Sequence, residues 1–175
     1  HRSFCKYWFH SFQKQFPQNF RSRTPEDLYT LINQVKPGLN RVDSDEVTYS
    51  LHIMIRYEIE KKLVTGDAQV KDVPDLWNEL YKNNLGVSPT SHKEGCLQDI
   101  HWATGTLGYF PSYVLGHLMA AQFCHQMEQD LGDLSSFLES QNWKPIKSWL
   151  GDFIHKKAAL QEPLSLVHSV TKEAL

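Results

Sequence analysis

Helix starts and stops recur along the whole sequence, and nowhere is there a sustained two-residue alternation of apolar and polar side chains. That absence removes the half-buried strand, and with it most sheet architectures. Thr24-Pro25-Glu26-Asp27 combines an N-cap hydroxyl, a proline at the first helical position and acids in the first turn. It predicts a helix to about Val35, stopped by Lys36-Pro37-Gly38. Ser44-Asp45-Glu46 opens the longest helix, running to Val64, with Lys61 and Lys62 near its end and Gly66 beyond. Further helices are predicted at Pro74–Asn84 (capped by Asp72), Pro111–Leu131, Asp133–Ser140 and Pro145–Lys157. The last of these has Trp143, Ile146, Trp149, Leu150 and Phe153 on its apolar side. In the first segment, Phe4–Phe16, the aromatics Phe4, Trp8, Phe12 and Phe16 recur at every fourth position and read as a stripe packed into a core. Residues 86–110 are glycine-rich and irregular. The expectation is an all-α, multi-helix fold with residues 1–175 in a single helical domain.

Composition narrows the function classes. Eighteen Lys and Arg against twenty Asp and Glu leave a net charge of −2, with no basic surplus for a nucleic-acid backbone. No apolar run reaches the roughly 18 residues a membrane span needs, and mean hydropathy is −0.46. Neither nucleic acid nor membrane is an expected partner. Cys5, Cys96 and Cys124 are too few and too scattered for a disulfide framework, and none forms a CxxC pair. A cytoplasmic location is the expectation. The chain opens at His1 inside what reads as a helix, which suggests a fragment whose upstream part is missing.

Three features could carry chemistry. On the long helix, Asp45, Tyr49, His52 and Arg56 form a polar row at spacings of four, three and four, beside the apolar row Val47, Leu51, Ile55 and Ile59. Periodicity alone reads the polar row as a solvated face. Nine histidines are present but no two are four apart, so no helix offers a paired-histidine metal site. His117 and His125 read as structural or surface residues. The third feature is Gly95-Cys96-Leu97-Gln98-Asp99-Ile100-His101-Trp102, followed by Gly108-Tyr109-Phe110-Pro111-Ser112-Tyr113. It is dense in hydrogen-bonding groups on a glycine-bounded scaffold, which suits either a substrate or oxyanion site or a buried polar network joining two helices.

The stretch Gly95–Trp102 matches GxxQDxHW, and through it the chain resembles the carboxypeptidase Taq family of zinc metallocarboxypeptidases. Gly108–Tyr113 is similar to that family's GYFPTY segment, Asn40–Asp45 to its IRxxAD motif, and Leu51–Glu60 to its long helix. The resemblance spans roughly residues 1–157. Asn40 and Ser44 depart from IRxxAD, so that match rests on Arg41 and Asp45, and His117 stands where an Asn is expected. The family's HExxH motif and its downstream glutamate ligand are absent from the sequence.

The resemblance implies the C-terminal portion of a zincin-like peptidase that removes residues from peptide C-termini. Zinc would serve the intact enzyme, with none of its ligands in this chain. Peptide is the implied substrate and a homodimer the implied assembly. His101 and Tyr109, with Tyr113 nearby, become candidate donors to the scissile carbonyl. Arg41 or Arg56 becomes the partner of the free carboxylate, with Gln98 and Asp99 orienting their neighbours within the substrate-binding set. Internal ion pairs, Arg41 with Asp45 or Arg56 with Glu60, are the structural alternative for the arginines. The competing function is a non-catalytic helical interaction domain built on the same scaffold. On either reading Arg41, Arg56, His101, Tyr109 and Tyr113 should converge, and the chain by itself should lack activity.

Overall fold

Capping decides where the longest helix begins and ends. Asp45, within the Ser44-Asp45-Glu46 start, accepts from the backbone N–H of Val47 and Thr48 and also takes the Thr48 hydroxyl and the Lys36 N–H. At the other end Gly66 adopts φ +81°, a left-handed turn that side chains rarely enter. The computed structural model describes residues 1–175, the side chain of Ala158 apart. Its α-helices are α1 (Arg2–Gln15), α2 (Pro17–Phe20), α3 (Pro25–Ile32), α4 (Glu46–Thr65), α5 (Val73–Leu85), α6 (Pro111–Leu131), α7 (Leu134–Glu139), α8 (Lys144–Leu150) and α9 (Pro163–Thr171). Among the described residues there is no strand, as the sequence predicts. Among the described residues no helix is long and apolar enough to cross a membrane.

The chain divides into two compact units: Asn33–Gly116, and His1–Ile32 together with His117–Leu175. In the first, α5 packs on α4 around Ile55, Ile59, Val73, Trp77, Tyr81, Leu85 and Cys96, with the Trp77 and Tyr81 rings stacked at 4.7 Å. The polar row of α4 points into this unit, contrary to the solvated reading. His52 and Arg56 are both 0% exposed, whereas Val47 of the apolar row is 61% exposed. Ile55 and Ile59 of the apolar row are buried as well, and the helix tolerates the buried polar groups because they find partners on other segments. Residues 86–110 form turns, as expected. Gly95 is required there by close approach, since a Cβ would meet the Pro89 side chain and the Ser91 carbonyl oxygen at 3.3 Å.

In the second unit, α1 and α3 meet through Cys5, Phe9 and Leu28, with Phe12, Phe20 and Tyr29 at the margin. The expected aromatic stripe is not the buried face: Phe4, Trp8 and Phe16 are 43%, 40% and 54% exposed. A four-residue step advances about 40° around a helix of 3.6 residues per turn. The row therefore winds away from Cys5 and Phe9, and only Phe12 reaches the core. A second cluster joins α6, α7, α8 and α9 through Met127, Leu134, Trp149 and Val170, with Trp149 Nε1 donating to Asp130 at 2.7 Å. The predicted helix Pro145–Lys157 is α8 followed by a π-helical turn, Gly151–His155. Helix α9 goes beyond the sequence prediction. Its cues were Pro163 at the first position and the spaced apolar residues Val167 and Val170, both buried.

Two glycines separate backbone need from free space. Gly116 lies inside α6 with nothing within 4 Å of an added Cβ. Gly116→Ala should therefore stabilise the chain by about 1 kcal/mol through helix propensity. Gly66→Ala should cost about 1 kcal/mol because of its left-handed backbone. Urea unfolding of the two variants should move the midpoint in opposite directions.

Candidate functional site

One carboxylate organises the irregular segment. Asp99 Oδ1 accepts from Arg41 Nε and Nη2 at 3.3 and 2.7 Å, while Oδ2 takes Arg56 Nε at 2.6 Å and also pairs with Arg56 Nη2. Neither arginine uses the internal partner suggested by sequence proximity. Asp45 is occupied in capping α4, and Glu60 accepts from Trp102 Nε1 and Gly108 N. Burial pushes the Asp99 carboxyl up, but hydrogen bonds from Arg41 and the charge and hydrogen bonds of Arg56 outweigh it and hold the group below the usual carboxylate range. Burial likewise works against the Arg41 cation, yet the bonds to Asp99 raise it above its ordinary value. Gln98 completes the frame. Its Oε1 accepts from Arg41 N and Arg56 Nη2, and its Nε2 donates to the carbonyls of Leu39 and Glu94, all at 2.9–3.2 Å.

Arg56 is saturated. Besides Asp99 and Gln98, its Nη1 donates to the His52 carbonyl at 2.8 Å and the Tyr81 hydroxyl at 3.1 Å. The Tyr81 hydroxyl also lies 2.9 Å from His52 Nδ1. The assignment leaving fewest groups unpaired has Tyr81 donating to Nδ1, which makes His52 a neutral ring protonated at Nε2. That Nε2 is buried without a partner among the described residues. Burial, then the charges of Arg56 and Arg41, lower the His52 pKa to about 4. Burial also raises the Tyr81 hydroxyl above its ordinary value.

Above this layer lies an aromatic rim. Arg41 Nη1 donates to the Tyr49 hydroxyl at 3.2 Å, and its guanidinium carbon lies 5.4 Å from the Tyr113 ring centre and 5.7 Å from that of Phe110. The His101 ring lies 4.5 Å from Phe110 and 5.8 Å from Tyr109, stacked on the latter, and its Nε2 is 3.4 Å from the Tyr113 hydroxyl. His101 Nδ1 is 3.7 Å from Asp99 Oδ1 and has no hydrogen-bond partner among the described residues. Tyr109 is exposed, Tyr113 is half-buried and packs edge-on against it at 5.3 Å, and Phe110 is fully buried beneath them.

The structure thus brings Arg41, Arg56, Gln98, Asp99, His101, Tyr109 and Tyr113 together within one unit, in two layers. Gln98, Asp99 and Arg56 spend their hydrogen-bonding capacity inside the protein, whereas Arg41, His101, Tyr109 and Tyr113 form the outer layer. Sequence reasoning missed Phe110, Tyr81 and Glu60. Phe110 sits inside the GYFPSY match and Glu60 one turn beyond Arg56, so both lay within reach of the pattern. Tyr81, brought in by α5, had no such signal. His117 and His125 are exposed. No group of three or more His, Cys, Asp or Glu side chains among the described residues could hold a metal ion. The residues present therefore do not fit a metal site.

The all-helical fold matches solved peptidase structures. It superposes on the M32 carboxypeptidase from Deinococcus radiodurans R1 with a TM-score of 0.95 at 31% identity, and on the Pyrococcus furiosus carboxypeptidase with 0.96 at 34%. In both cases all of this chain aligns with 35% of the other. Carboxypeptidase 1 of Bacillus subtilis (strain 168) is 42% identical over 168 residues, 96% of this chain and 34% of the relative. Thermostable carboxypeptidase 1 of Thermus thermophilus is 44% identical over 149 residues, 85% and 29% respectively. The carboxypeptidase Taq (M32) metallopeptidase family matches residues 1–175, and the chain belongs to that family. It spans about a third of the length of the curated relatives it matches.

The buried neutral His52 makes stability pH-dependent. An unfolded histidine titrates near 6.5, about 2.5 units above the folded value, so on acidification the unfolded chain takes up this proton first. Stability contributed by keeping His52 neutral is complete above about pH 6.5 and is lost as pH falls toward 4, about 3 kcal/mol in all. Urea unfolding at pH 6.5 and 4.5 should show about 2 kcal/mol of that loss, and His52→Gln should flatten it.

Proposed function

We propose that this chain supplies the substrate-facing wall of a metallocarboxypeptidase, with Arg41 taking the free carboxylate of a peptide and His101, Tyr109 and Tyr113 facing its last carbonyl. The observation that carries this reading is a donor count. Two guanidinium groups share the Asp99 carboxylate, the Glu60 carboxylate is turned to Trp102 and Gly108, and Arg56 has no donor left to offer. Arg41 does: among the described residues two of its five N–H groups lack an acceptor, and its side chain is 10% exposed beside the rim. A carboxylate is the anion whose two oxygens suit a guanidinium fork. His101, Tyr109 and Tyr113 are hydrogen-bonding groups next to that cation, suited to negative charge developing on a carbonyl oxygen. Gln98, Asp99 and Arg56 act one layer below, holding Arg41 and His101 in register.

Zinc enters only through the family resemblance. It would activate water, but the HExxH ligands are not in this sequence, so no step of the reaction is assigned to these residues through the metal. Purified alone, the 175-residue chain should hold no zinc tightly and release no C-terminal amino acid. Elemental analysis finding one firmly bound zinc per chain would overturn that expectation.

Activity can be tested by grafting the chain in place of the matching third of the Bacillus subtilis relative. The graft should release C-terminal residues from peptides. Arg41→Lys should raise KM for a free-acid peptide by roughly 10–100-fold, the value of a charged hydrogen-bond fork. Binding of the C-terminally amidated peptide should stay unchanged. Equal losses on both peptides would refute the carboxylate role. His101→Ala and Tyr109→Phe should lower turnover more than binding.

A homo-oligomer is favoured by the exposed aromatic row of α1, where Phe4 and Trp8 lie 6.4 Å apart and Tyr7 sits edge-on to Trp8 at 5.0 Å. Sedimentation at high concentration should reveal self-association that Trp8→Glu weakens, and a monomer throughout would reject it. Three free thiols, with Cys5 and Cys96 buried, suit a reducing cytoplasmic compartment.

A further inference from the structure

We infer that Glu60 is a positioning residue for the His101–Tyr109 pair, an inference that deepens the reading above and rests on it. Glu60 is the third member of a buried polar row on α4, following His52 and Arg56 at intervals of four, and is 3% exposed. Its two oxygens go to different places. Oε1 accepts from the Trp102 indole at 2.7 Å and Oε2 from the Gly108 backbone N–H at 3.2 Å. Trp102 immediately follows His101, and Gly108 immediately precedes Tyr109. The carboxylate therefore ties together the two ends of the 102–108 loop, and the residues just outside those ties are the two whose rings stack at 5.8 Å.

Ring contacts also meet across the loop, with Phe110 4.5 Å from the His101 ring and 6.2 Å from that of Trp102, but these are contacts of rings and not of the backbone ends. The loop's own backbone bonds are short-range: Thr104 N to the Ile100 carbonyl, Gly105 N to that of Trp102, Thr106 N to that of His101, and Leu107 N to that of Gly105. Gly105 and Gly108 both adopt φ +75°, so the backbone turns sharply at two points without side chains to brace it. Trp102 is anchored on its other side by an edge-on contact with Trp77 at 5.9 Å. Gly108 bonds to α4 through Glu60. A buried carboxylate held only by two neutral donors, with no ion pair among the described residues, is a costly way to fasten a loop. Its value lies in having two acceptors on one rigid group, which fixes one end of the loop against the other.

Glu60→Gln keeps one acceptor but turns an amide NH₂ toward the second donor, and Trp102→Phe removes one tie while keeping an aromatic ring in the core. Both variants should retain the helical circular-dichroism spectrum of the native chain. In both, the ring-to-ring nuclear Overhauser cross-peak between His101 and Tyr109 should fall by at least half. Placed in the Bacillus subtilis graft, both should lower kcat about tenfold with KM within about twofold, as for groups engaged only in the transition state. Cross-peaks of native intensity in both variants, with only a lower melting temperature, would overturn the inference and leave Glu60 a simple fastening. A reduced cross-peak with native kcat would uphold the positioning and instead reject the assignment of His101 and Tyr109 to the carbonyl.

Discussion

The Asn33–Gly116 unit is arranged around the sharing of Asp99 by two arginines. A carboxylate with two oxygens has about four lone-pair directions, and here all four face guanidinium N–H groups. That geometry demands that Arg41, outside the helices, and Arg56, in the middle of α4, arrive from opposite sides of a turn. The turn in turn must be compact enough to bury the acid, which accounts for Gly95 against Pro89 and for a Gln98 whose amide is fully used. Removing one member of such a cluster strands the others at a cost of several kcal/mol. The cluster is therefore better viewed as the condition for forming residues 94–102 at all than as an addition to them.

The reason for arginine at both positions follows from the same count. A lysine at position 56 could offer three donors from one point, whereas five are used, in a plane, toward Asp99, Gln98, the His52 carbonyl and Tyr81. At position 41 the planar fork permits bonding to Asp99 along one edge while leaving N–H groups directed elsewhere. The same residue type thus closes the network on its inner side and leaves it open on its outer side.

Much of this was legible in the sequence, and the failures have physical causes. Helix positions followed from caps and prolines, which act locally and are written in a few adjacent residues. The identity of the site residues was carried by the spacing of Gly95–Trp102 and Gly108–Tyr113. What periodicity could not supply was which face of a helix is inside. On α4 the polar row is buried because Asp99 and Tyr81, 43 and 25 residues from Arg56 along the chain, reach it. On α1 the aromatic row is exposed because a four-residue repeat drifts around the helix. Asp45 for Arg41 and Glu60 for Arg56 are the internal partners that sequence proximity offers as the alternative to a substrate carboxylate, because it favours residues four away. Long-range partners won in both cases, since they alone let all the groups be satisfied together.

His52 shows how finely the charge balance is set. Its ring faces the Tyr81 hydroxyl that also receives Arg56, so a proton on Nδ1 would leave that hydroxyl without its acceptor and add a third cation beside the two arginines. Burial and the two arginines keep the ring neutral, at a pKa of about 4. The Asp99 cluster consequently carries the two arginine cations and one carboxylate, with no charge on His52. Its unspent donors lie on Arg41, beneath the His101–Tyr113 rim, and not in the core, where every donor of Arg56 is already taken. A neutral histidine in the interior is what makes the outer arginine the one place in the cluster where an anion gains.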